Sequence, residues 1–99
     1  MKNIILSADS ESTVYSVPDD IADNLRKYCN DFYKWLKNSD DAENYRKNGI
    51  LCFDETDFVA WLNKYVFPNQ PSLIVENIGW IQLDSDTPEK YRGCPEYNF

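Results

Sequence analysis

Residues 3–7 and 13–17 are two β-branched segments in which apolar and polar positions partly alternate. The polar run Ala8-Asp9-Ser10-Glu11-Ser12 lies between them. This pattern predicts a β-hairpin, although no Asn-Gly or Asp-Gly pair in the loop fixes its register. From Ile21 the apolar spacing lengthens: Leu25, Tyr28, Cys29, Phe32, Trp35 and Leu36 fall on one helical face. Ser16-Val17-Pro18-Asp19-Asp20 precedes that run and offers a capping hydroxyl, an early proline and two carboxylates for the positive end of the helix dipole. A helix over 18–37 follows. Asp23 four residues before Lys27 marks its solvated face.

Residues 39–49 place acidic side chains early, Arg46 and Lys47 late and Gly49 last, which predicts a short second helix. Ile50 to Phe53 reads as a short strand or buried connector. Asp54-Glu55-Thr56-Asp57 then opens a helix over 54–66, with Phe58, Trp61, Leu62, Tyr65 and Val66 on one face, and Pro68 and Pro71 prevent its extension. Residues 71–83 carry conflicting signals. The β-branched run argues for a strand, while a leading proline and Gly79 argue for a short capped helix. The expectation is a helix over 71–78 and a strand over 80–83 that adds to the hairpin. An irregular tail pinned by Tyr91, Tyr97 and Phe99 completes the chain.

The fold class expected is therefore α+β in a single domain over 1–99. An N-terminal β-hairpin is extended to a small antiparallel sheet, and two amphipathic helices, 18–37 and 54–66, pack on one face. The other face needs cover from the chain or a partner. A chain of 99 residues supports one core, and fifteen aromatic side chains fit a packed globule better than a disordered segment.

Charge narrows the partners. Seventeen acidic against ten basic residues give a net charge of −7, of which −5 falls in residues 50–99. That balance repels phosphate backbones and argues against direct nucleic-acid binding, while favouring encounter with basic protein surfaces. The apolar run at the N-terminus is too short for a signal peptide, and no stretch approaches membrane-spanning length. Cys29, Cys52 and Cys94 form no CxxC pair. Cys29 and Cys52 read as small buried hydrophobes and Cys94 as a loop residue that could be exposed, which together imply a cytoplasmic, reducing location.

The chain has no histidine and only three glycines, so an imidazole-activated nucleophile, a histidine-ligated zinc and a glycine-rich phosphate loop are not expected. No cofactor or metal is expected, and no catalytic residue is assigned. Carboxylates at Asp19/Asp20, Asp40/Asp41 and Asp54/Glu55/Asp57 sit where helices begin and read as caps. Residues 84–89 alternate oxygen ligands as a calcium loop does, but lack its glycine and final glutamate. The function expected is non-enzymatic protein binding, of the kind an immunity protein or inhibitor performs when it occupies a basic surface. Asp84, Asp86 and Glu89 are the expected acidic contacts, with Trp80 and Tyr91 as aromatic anchors. A homo-oligomeric structural protein and a carboxylate-based enzyme are the alternatives.

Overall fold

A computed structural model of the chain describes residues 1–9, 11–81 and 86–99. The class is α+β. Strands β1 (Lys2–Ser7) and β2 (Ser12–Val17) form the expected hairpin, in a register that sets Ile4 opposite Tyr15 and Ile5 opposite Val14. Alternation splits the hairpin's side chains between two cores. Ile4, Leu6, Tyr15 and Val17 face a helical layer, and Ile5 and Val14 face the opposite side.

The first long helix is two. Helix α1 (Asp19–Asp23) and helix α2 (Leu25–Asn38) meet at Asn24, whose φ of −131° and ψ of 38° break the α-helical path. The expected Ser16 cap is absent: Pro18 stands at the cap position, and the Asp19 carboxylate lies 2.9 Å from the N-terminal ammonium. The break lets α1 tuck Ile21 and Ala22 against the sheet before α2 turns Leu25, Cys29, Phe32 and Leu36 inward.

Residues 39–49 differ from expectation. A 3-10 helix covers Asp40–Tyr45, and strands β3 (Arg46–Lys47) and β4 (Ile50–Leu51) then form a small hairpin. Asn48 and Gly49 both have positive φ, 52° and 78°, so the pair makes the mirror-image turn that favours tight hairpins instead of a helix end. Arg46 closes the preceding helix, its Nη1 donating to the carbonyls of Leu36 at 2.7 Å and Ser39 at 2.9 Å. Cys52, expected to be buried, follows β4 with its side chain exposed, because the hairpin stands at the surface.

Helix α3 (Glu55–Trp61) begins with a reciprocal cap. Asp54 accepts from the Thr56 and Asp57 backbone amides, and Asp57 accepts from the Asp54 amide. Its last part widens into a π-helical turn over Leu62–Val66. Phe58, Val59, Trp61 and Leu62 are buried, but Tyr65 is 41% exposed and lies outside the core.

The expected helix over 71–78 is instead strand β5 (Leu73–Gly79), antiparallel to β2. It is therefore this segment that extends the hairpin, while residues 82 and 83 of the expected 80–83 strand lie outside the described residues and Trp80 sits in a bend. The physical reason lies in the backbone. Only as a strand can this β-branched run pair with the open side of β2, and Gly79, at a φ of 78°, ends it. Strand β6 (Glu96–Asn98) pairs with β1 in parallel, so the sheet is mixed, in the order β5-β2-β1-β6. The face away from the helices is covered by the chain itself, through residues 86–95 and the buried Tyr91.

Phe32 is the hub of the helical-side core. Its ring lies 5.5 Å from Phe58 and Trp61, 5.6 Å from Phe53 and 6.1 Å from Phe99. Phe99, just beyond β6, also meets Tyr33, Phe58 and Tyr97, so the last residues of the chain complete the layer between helices and sheet.

Candidate functional site

The expected contacts separate in space. Asp84 lies outside the described residues. Asp86 and Glu89 are exposed, on the segment that crosses the back of the sheet. Tyr91 cannot anchor a partner: it is 5% exposed, packs with Ile5 and Val14, and its hydroxyl bonds Glu76. Trp80 is 74% exposed and remains available. Tyr33, Tyr45, Tyr97 and Phe99 are partly buried against the core, so they too are unsuited to act as free anchors.

Three other exposed apolar side chains are consecutive in the chain. Leu73, Ile74 and Val75 are 62%, 66% and 46% exposed at the start of β5. This strand ends one side of the sheet, so among the described residues no strand pairs with its outer backbone groups. Ile74 stands opposite Tyr15 and so projects on the helical side, whereas Glu76 stands opposite Val14 on the back. Between β5 and α3 runs a groove of about 420 Å³, lined by Tyr15, Thr56, Val59, Ala60, Ser72 and Ile74 among others. An apolar trough and projecting apolar side chains thus share one patch.

Asn63 ties this patch together. Its side-chain carbonyl accepts from the Ser72 amide at 2.7 Å, and its side-chain amide donates to the Ser72 carbonyl at 3.2 Å. The loop with Pro68 and Pro71 is thereby clamped to the end of α3, and β5 leaves from a fixed point. Two irregularities, at Val75 and Ile78, shift the register against β2 and coil the strand.

Electrostatics set the patch apart. Residues 65–83 carry a single charged side chain, Glu76, in a chain that is 27% charged. Glu76 points to the back face, where the Tyr91 hydroxyl first and Lys90 second hold its carboxyl below the usual range, with Lys90 Nζ 3.4 Å away. The outer face of the strand is therefore neutral, while on the α3 side of the groove Tyr15 feels the carboxylates of Glu55 and Asp54. That charge-free run was the sequence signal for the site. A reading centred on acidic clusters passes over it.

Other depressions are less distinctive. One of about 250 Å³ is walled by Trp35, Tyr45, Trp61 and Tyr65, but Lys64 lies 5.2 Å from the Tyr65 ring centre and supplies its own cation. Another of about 450 Å³ lies where residues 87–96 fold over Ile5, with Arg92 and Glu96 in its wall. Among the described residues no group of three or more acidic or cysteine side chains is placed to hold a metal, and no helix is long and apolar enough to cross a membrane. The carboxylates at Asp54 and Asp57 form the α3 cap, Asp19 pairs with the N-terminal ammonium, and Asp20 accepts from the Tyr28 hydroxyl and the Asn24 side chain.

The site is thus an exposed neutral sheet edge on an acidic α+β domain. No family model matches the chain, and neither a curated protein nor a solved structure shows significant similarity to it.

Proposed function

We propose that this chain is a non-enzymatic protein-binding module whose binding face is the outer edge of β5 with the adjoining α3 groove. One observation carries the reading: Leu73, Ile74 and Val75 stand exposed on an edge strand whose outer side meets no other strand among the described residues. Natural sheet edges are usually blunted by charge, and exposed contiguous apolar surface on a soluble domain marks an interaction site. An added strand would satisfy the open backbone groups, and its side chains would enter the groove.

The remainder of the surface plays a different part. The net charge of −7, with Asp86 and Glu89 exposed, speeds encounter with basic partners, as an immunity protein or inhibitor of a basic target requires. The neutral edge is a second contact surface, separate from that acidic one. Capping and pairing duties for Asp19, Asp20, Asp54 and Asp57 support a non-enzymatic role over carboxylate catalysis. Three unpaired cysteines, one exposed, favour a reducing compartment such as the cytoplasm.

The test places a photoreactive benzophenone residue at position 74, and in a control chain at the exposed position 37, in the cells that make the protein. Expected is a covalent protein adduct from position 74 and none from position 37. Equal adducts from both, or none from position 74, would refute the assignment of this edge.

A further inference from the structure

We infer that the occupant of the β5 edge is a second copy of this chain, paired antiparallel through residues 73–75 about a two-fold axis beside Ile74. The inference rests on the reading of that edge as the binding face, and four observations select the copy as occupant.

The first is charge. Two molecules at −7 repel, and the repulsion is weakest where they can meet without opposing carboxylates. Residues 65–75 are wholly uncharged. The second is shape. A two-fold contact must be self-complementary, since each patch meets its own image. Here the same surface offers a knob, Ile74, and a trough beside it lined by Tyr15, Val59 and Ala60. Edge-to-edge antiparallel pairing about an axis normal to the sheet puts both helical layers on one side. Each Ile74 then lies between two grooves.

The third is register. An axis at the strand's centre would bring Glu76 against its own copy. An axis at Ile74 sets Glu76 opposite Ser72 instead, and leaves the Leu73, Ile74 and Val75 run facing itself. The fourth is closure. The register shifts at Val75 and Ile78 coil the strand beyond the contact, and the far edge of the sheet is the three-residue strand β6. Pairing consumes the β5 edge and leaves only the short β6 at either end of the joined sheet, which favours a closed dimer with an eight-stranded sheet over a growing fibre.

The paired segment is far shorter than the roughly 20–30 residues a side of a standard interface, so a dissociation constant on the order of 10 µM is expected. Sedimentation equilibrium of the purified full chain from about 5 µM to about 1 mM reads it directly. The mass should climb from 11.6 kDa towards twice that value. Ile74→Asp and Ile74→Lys should each stay monomeric throughout. Mixed in equal amounts, they should recover the dimer, because the axis sets position 74 beside its own image. Ile74 is two-thirds exposed, so both variants should keep the circular dichroism spectrum of the parent.

A parent chain that remains monomeric at about 1 mM, or variants that associate as well as it does, would overturn the inference. If the parent is monomeric while the position-74 crosslinker captures a different protein, the second copy is wrong and the edge reading stands. If it is monomeric and position 74 captures nothing, both fail.

Discussion

Replacing Asn63 by alanine tests how the binding edge is built. The Asn63 side chain makes two hydrogen bonds to the backbone of Ser72, at 2.7 and 3.2 Å, and Ser72 is 4% exposed. Alanine leaves a nearly buried N–H and C=O without partners. Each net bond is worth about 1 kcal/mol, and an orphaned buried group costs up to ~3 kcal/mol. Asn63 is itself only partly buried, so water can reach one of the two groups, and a loss of about 2–3 kcal/mol follows. For a domain of this size that lowers the melting temperature by roughly 10–20 °C. Urea unfolding followed by circular dichroism should show the midpoint falling at constant slope. Hydrogen exchange should locate the loss, with the β2–β5 amides losing more protection than those between β1 and β2. A destabilisation under about 0.5 kcal/mol, or exchange that rises evenly over the sheet, would show that β5 is held by its pairing with β2 alone and that the clamp is incidental.

Three further predictions concern burial and the groups beside it. Phe32→Ala removes a fully buried ring that meets Phe53, Phe58, Trp61 and Phe99, and should cost about 3–5 kcal/mol, read as a collapse of the thermal transition; a loss below about 1 kcal/mol would contradict its place as hub. Burial pushes the Cys29 thiol up to about 12, and at pH 8 a disulfide reagent should therefore modify the exposed Cys52 at once and Cys29 only on unfolding. Tyr33, raised to about 12 chiefly by burial, and Tyr28, raised to about 12 chiefly by its bond to Asp20, act in the same direction. These groups hold their protons more tightly folded than unfolded, so their contribution is complete below the ordinary values of 9 and 10 and is lost as pH rises towards 12. Stability measured by urea unfolding should fall steadily across that window, and a flat profile would refute the burial of Cys29 and Tyr33.

Local periodicity determined much of this molecule. The hairpin follows from the β-branched, partly alternating segments 3–7 and 13–17, and the α2 and α3 faces follow from the spacing of Phe32, Leu36, Phe58 and Trp61, because helical burial on one face is written in nearby residues. Several features were not written that way. Asn24, a residue that suits helix caps, sits inside unbroken helical apolar spacing, and its backbone, at a φ of −131° and a ψ of 38°, divides the helix there. Asn48-Gly49 serves equally as a helix end or a hairpin turn, and Arg46, capping α2 from outside, accompanies the turn.

The binding edge shows the same division. Sequence supplied an uncharged, β-branched run, but its state depended on whether β2 had an open side to receive it, a contact between residues some sixty positions apart. Tyr91 and Trp80 look alike as aromatic candidates in the sequence, yet one is buried over Val14 and the other is exposed. Composition and spacing fixed which segments are apolar and at what period. Only the tertiary arrangement decided which apolar side chains the core would use and which the sheet's edge would leave facing outward, because burial depends on neighbours that the chain brings together from a distance.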